Sequence, residues 1–199
     1  MFDELSKFHR ILEARESARE ELIRLSRELR INSTKAISAV HASEIEKASK
    51  LLEQAENKLQ RIIEFRKYPE FYFQITHDAM QEYVESFVFF HLVKREQNFN
   101  LESLDVEIPS ILTGLADSIG EMRRYTLDLL RKEEFERAED FIKLMEELYY
   151  HLSTFYFPEK LVPGLRNKVD GARWTIERTK SDFIAAKVAA SIKGSGGVS

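Results

Sequence analysis

Cysteine is absent from the 199 residues, proline and glycine are scarce, and neither sign of charge dominates. The lack of cysteine excludes disulfide frameworks, thiolate metal sites and a cysteine nucleophile. Only four prolines and seven glycines are present, and Gly194, Gly196 and Gly197 fall in the last six residues. That leaves too little turn chemistry for an all-β or α/β fold and suits a few long helices. No apolar run approaches the ~18 residues of a membrane span, and Met1 to Arg10 lacks a signal-peptide core. The expectation is a soluble, cytoplasmic protein with no membrane partner. A net charge of -4 gives no global pull towards nucleic acid, so any such binding must come from a local basic surface. There is no P-loop, dinucleotide-binding glycine pattern, zinc-protease motif or nucleophile elbow. None of the five histidines forms the Glu-x-x-His pair of a di-iron bundle.

What is present is charge, at 32% of residues with both signs interleaved, laid over helical apolar spacing. The pattern predicts an all-α bundle with helices near 2–30, 35–68, 70–97, 103–131, 133–155 and 165–192. Asn32-Ser33-Thr34 reads as a break or an irregularity, and Tyr68-Pro69 as a helix end, because a residue before proline disfavours the α region. Pro109 is tolerated in a first turn. Residues 1–192 are expected to form a single helical domain and 193–199 a flexible tail. The stretch from Tyr83 to Val93 is apolar nearly all round, which marks a buried helix. Trp174 and most phenylalanines read as core, and His91, about 180° from Glu82, as a packing histidine.

Two acid pairs stand out against this background. Glu82 and Glu85 lie about 60° apart on the most apolar helix, where an ionised carboxylate is costly unless it is paired or bound to a metal. Lysine or arginine from a neighbouring helix is the bland explanation. Asp117 and Glu121 lie about 40° apart on a face shared with Ser110, Thr113, Gly114, Gly120 and Arg124. Ile108, Ile111, Leu112, Leu115, Ile119 and Met122 read as the opposite, core face of that helix. The bland explanation there is a solvated surface, although Gly114 and Gly120 would let another helix or a ligand come close. Together the pairs suggest a four-carboxylate cluster suited to a hard cation such as Mg²⁺ or Mn²⁺. Such ions serve phosphodiester hydrolysis. Arg124, one turn from Glu121, is a candidate for phosphate contact, with Arg123 off that face. Arg10, Arg15 and Arg19 are further candidates for a phosphate-binding surface, against the alternative of a solvated face of intrahelical ion pairs.

These residues resemble the translin family, and within it the branch of translin-associated factor X. The likeness rests on Gln81-Glu82-Tyr83-Val84-Glu85 with Phe89, His91 and Lys94. It extends through Gly114-Leu115-Ala116-Asp117, Gly120-Glu121-Met122 and Arg124. Looser matches are Leu25-Ser26-Arg27 with Ser33, Lys35 and His41, and Leu165-Arg166 with Lys168 and Asp170-Gly171. The resemblance implies a bundle of about six to seven helices that assembles, as an octamer by preference, around RNA or single-stranded DNA, and the short, compact chain favours a homo-oligomer over assembly with a second translin-like subunit. The factor X branch further implies an Mg²⁺-dependent endoribonuclease whose catalytic and metal-holding acids fall on Glu82, Glu85, Asp117 and Glu121. Plain translin subunits imply the alternative, a nucleic-acid-binding oligomer without catalysis.

Overall fold

The computed structural model describes residues 1–96 and 98–195 and is all-α. Six helices follow in order: α1 (Phe2–His41), α2 (Ile45–Ile63), α3 (Tyr72–Val93), α4 (Ile108–Arg131), α5 (Phe135–Leu152) and α6 (Leu165–Ser195). Short 3-10 turns at Glu64–Lys67 and Glu102–Leu104 lead into α3 and α4. α1 packs on α2 and α3, α3 on α4, and α4 on both α5 and α6. α3 and α4 therefore form the centre of the bundle, flanked by α1 on one side and α6 on the other.

The first break differs from the sequence expectation. α1 runs straight through Asn32-Ser33-Thr34, where Ser33 Oγ donates to Leu29 O at 3.0 Å and Thr34 Oγ1 lies 3.1 Å from Arg30 O. Such back-bonding satisfies hydroxyls inside a helix, so these residues need not end one. The chain turns instead at Ala42–Glu44. There Ser43 adopts φ 60°, its N–H bonds to Val40 O, and the Glu44 N–H bonds to Ala39 O. This is a Schellman closure with serine at the position glycine usually takes. The ends of α3 and α4 close the same way, with Arg95 (φ 63°) and Glu133 (φ 60°) in the left-handed conformation.

α2 buries Ala48, Leu52, Ala55, Leu59 and Ile62, a clean helical stripe. α3 is buried almost all round, as its composition predicts. α4 starts at Ile108 rather than near residue 103, with Pro109 in its first turn. Ile108 itself is exposed, and the small residues Ser110, Thr113 and Gly114 are buried, so that face is packed rather than solvated. Trp174 is 77% exposed and is not a core residue, while Ala172, Ile176 and Thr179 of α6 are buried. Residues 193–195, expected in a tail, continue α6, and 196–199 lie outside the described residues. Among the described residues no helix is long and apolar enough to cross a membrane.

Candidate functional site

α3 and α4 meet along a line of small and polar side chains. His77 Nδ1 lies 2.8 Å from Ser110 Oγ, and Gln81 Nε2 donates to Asp117 Oδ2 at 2.7 Å. Between them, Gly114 lets the two backbones touch. A Cβ there would fall 2.6 Å from Gln81 O and 2.8 Å from Val84 Cβ. Close approach is what brings Glu82 and Glu85 of α3 into the electrostatic range of Asp117 and Glu121 of α4.

Glu85 is the centre of that group. It is 9% exposed, and among the described residues no hydrogen bond or ion pair reaches its carboxyl. Burial pushes its pKa up to about 8, and the charges of Asp117, Glu82 and Glu121 push in the same direction. Lys168 opposes the shift and is outweighed. At neutral pH and without a cation the Glu85 carboxyl holds a proton.

The other three acids have partners. Lys168 of α6 places its ammonium 2.7 and 2.8 Å from the two oxygens of Asp117. Thr34 of α1 donates to Glu82 Oε1 at 2.8 Å. His41, at the end of α1, sets Nε2 2.5 Å from Glu121 Oε2. Lysine or arginine thus reaches Asp117 and, at 3.9 Å, Glu121, but among the described residues neither Glu82 nor Glu85, for which the bland reading requires such a partner. Among the described residues, no three His, Asp or Glu side chains are gathered closely enough to hold an ion without moving.

The predicted arginines divide. Arg124 is exposed, with its guanidinium 3.9 Å from Glu121 Oε2, and stands at the edge of the cluster. Arg123 is committed to α6, donating to Thr179 Oγ1 at 2.9 Å and Asp182 Oδ2 at 2.8 Å, so it ties two helices together instead of facing a ligand. Arg15 pairs with Glu70, and Arg19 with Glu16 and Glu20. Arg10 is exposed. Counted along α1 from Thr34, Arg19, Arg15 and Arg10 lie roughly 22, 28 and 36 Å away. They cannot share a phosphate with the acid cluster of the same chain.

Thr34, His41, Gln81 and Lys168 complete the group, and the acid pattern by itself did not assign them a role. Three of them fall in the sequence stretches that carry the family likeness, but nothing local marks their contact with the acids. A separate pocket of about 440 Å³ lies between the end of α5 and the start of α6. It is lined by Tyr149, Phe155, Tyr156, Phe157 and Arg166, and it contains none of the four acids.

Comparison with known proteins agrees with this architecture. The family model described as the Translin family matches residues 17–181. AfC3PO, solved in complex with duplex RNA, superposes with a TM-score of 0.90 at 45% identity, covering 94% of this chain and 97% of that one. A crystal structure of AfC3PO gives a TM-score of 0.88 at 46% identity, with 94% and 98% covered. Apo-NeC3PO shares the fold, with a TM-score of 0.84 at 24% identity over 92% of this chain and 96% of that one. An uncharacterised protein of Methanocaldococcus jannaschii is 29% identical over 184 residues, which is 92% of this chain and 82% of its own length.

Proposed function

From a chain that belongs to the translin family and carries this acid cluster, we propose a metal-dependent endoribonuclease of the factor X type. The observation that carries the reading is the surplus of negative charge around Glu85. Four carboxylates from two helices face one another, and the central one has no partner and is held protonated by burial, with its neighbours' charges adding to the effect. A carboxyl kept neutral by burial, with like charges pushing the same way, marks a place where a cation would be favoured.

The residues fit a hard divalent ion, Mg²⁺ or Mn²⁺. The donor set is oxygen only. Glu85 is unpaired, and Glu82 Oε2 and Glu121 Oε1 have no partner among the described residues. Glu82, Glu85, Asp117 and Glu121 would hold the ion, which requires their side chains to turn inward. When bound, such an ion supplies Lewis-acid stabilisation of phosphodiester charge and activation of water. The chain itself supplies the rest. Glu85 would serve as a ligand only as the carboxylate, its proton passing to solvent. Lys168 holds Asp117 in position and limits the charge left on it. Arg124, exposed beside Glu121, is placed to engage a backbone phosphate. The complex of AfC3PO with duplex RNA supports RNA as the ligand.

Assembly as a homo-oligomer, with the octamer favoured, belongs to the same proposal. It is supported by apolar side chains exposed along the first half of α1 (Phe2, Leu5, Phe8, Leu12) and the second half of α6 (Ile184, Val188, Ile192). A second reading, a nucleic-acid-binding oligomer without catalysis, is favoured by one observation. Thr34, His41 and Lys168 already satisfy three of the four acids.

The test is cleavage of labelled duplex and single-stranded RNA with Mg²⁺, with EDTA, and with a Glu82→Ala/Glu85→Ala variant shown by light scattering to assemble as the parent does. Cleavage that needs both the ion and the acids supports the nuclease. RNA bound and left intact under every condition selects the binding oligomer.

A further inference from the structure

Thr34 and His41 stand seven residues apart on α1, two helical turns, and so project from nearly the same side of it. Each contacts a different member of the acid cluster. Thr34 Oγ1 has two acceptors within reach, Arg30 O at 3.1 Å and Glu82 Oε1 at 2.8 Å, and the carboxylate is both nearer and charged. The His41 side chain is 6% exposed, with its ring 4.8 Å from that of Phe89 between centroids and Nε2 at 2.5 Å from Glu121 Oε2. Its other nitrogen, Nδ1, is buried and has no partner. A buried bare lone pair is tolerated better than a buried orphan N–H, so the geometry selects the tautomer with the proton on Nε2, donated to Glu121.

Both contacts engage one oxygen of a carboxylate and leave the other without a partner among the described residues: Glu82 Oε2 and Glu121 Oε1. The two acids come from different helices, and a single face of a third helix orients both. This is how outer-shell groups prepare ligands for an ion: a hydrogen bond to one atom narrows the range of rotamers and leaves the other atom for the metal. Ordinary helix packing does not require it. Leu29, Ile37 and Val40 of α1 are already buried in one apolar core with Phe89 of α3 and Met122 of α4.

We propose that Thr34 and His41 are positioning residues for the cation site, α1 acting as a splint that restricts the rotamers from which Glu82 and Glu121 turn inward to a divalent ion. The inference rests on the metal-site reading above and extends it to a helix that supplies no ligand. The deciding experiment measures Mn²⁺ affinity by electron paramagnetic resonance of the free ion, on the assembled protein without RNA. The variants are Thr34→Val and His41→Phe, which delete the hydrogen bonds. Thr34→Ser and His41→Gln retain a donor. The expected result is a loss of affinity of about tenfold for each deletion, with recovery in the two conservative variants. RNA binding in EDTA should not change. Thr34 is an exposed position, so its pair of variants decides the matter even if His41→Phe disturbs folding. Deletion variants that bind Mn²⁺ like the parent, while Glu85→Gln loses it, would overturn the splint and leave the metal site standing. A parent protein that binds no Mn²⁺ would overturn both.

Discussion

Lys168 Nζ lies 2.7 and 2.8 Å from the two carboxylate oxygens of Asp117, an ammonium of α6 seated on an acid of α4. Both side chains are about a quarter exposed, at 29% and 25%. The pair lies between the weak surface kind and the costly buried kind. Its ammonium is also the internal counter-charge to the cluster, and it holds the ground that an incoming divalent ion would contest.

Replacing Lys168 by methionine should therefore act in two opposite ways. Without metal, Asp117 loses its ion-pair partner and keeps only the hydrogen bond from Gln81, and the melting temperature should fall by several degrees, for a loss of about 1–3 kcal/mol. With Mg²⁺ present, the increment in melting temperature on adding the ion should exceed that of the parent. Equal increments in a thermal-shift titration would mean that lysine and cation do not compete.

Glu85 makes stability depend on pH in a defined direction. Its carboxyl is raised from the ordinary 4.5 to about 8, so between those values the folded chain keeps a proton that the unfolded chain has lost. Stability from this group is fully present below the unfolded value and is lost as pH rises through the folded one. Compared with Glu85→Gln, the metal-free parent should match the variant near about pH 5 and be less stable near about pH 8, by on the order of a few kcal/mol. Parallel melting curves for the two proteins across that range would show that Glu85 ionises normally.

Gly114 and Gly120 should respond differently to alanine although they share a helix. At Gly114 a methyl group would collide with Gln81 O and Val84, so α3 and α4 must part. The expected cost is about 1–3 kcal/mol, with weaker Mn²⁺ binding. At Gly120 no heavy atom lies within 4 Å, and alanine should stabilise by up to about 1 kcal/mol through helix propensity. Chemical denaturation of both variants checks the pair. Similar costs at both positions would remove close helix contact as the reason for Gly114.

The helices were legible in the sequence wherever spacing alone decides them. α3, α5 and α6 lie close to where apolar periodicity put them, and all six elements exist. The α1–α2 boundary was not legible because its left-handed cap residue is Ser43, which carries none of the punctuation a glycine gives. The start of α4 was hidden by Leu104 and Val106, buried apolar side chains that belong to the preceding connection and not to the helix. Trp174 was misjudged because size suggests burial. It lies two residues from both Ala172 and Ile176, about 200° away around the helix, and so faces outward. Of the site, the acid pairs followed from helical geometry within α3 and α4. Thr34, His41 and Lys168 did not acquire roles, because their partners are 48, 80 and 51 residues away and only tertiary packing joins them.

The uninterrupted passage of α1 through Thr34 to His41, set against Lys168 on the last helix, has a bearing on how the protein matures. The acid cluster draws its supporting contacts from near both ends of the chain. No fragment that lacks Thr34 and His41 or Lys168 can reproduce these contacts, and during synthesis Asp117 waits for its ammonium until α6 has emerged and docked. On the proposed metal-site reading, affinity for a divalent ion would gauge complete folding, and a chain stalled with α6 undocked would carry the four acids without the surroundings that organise them.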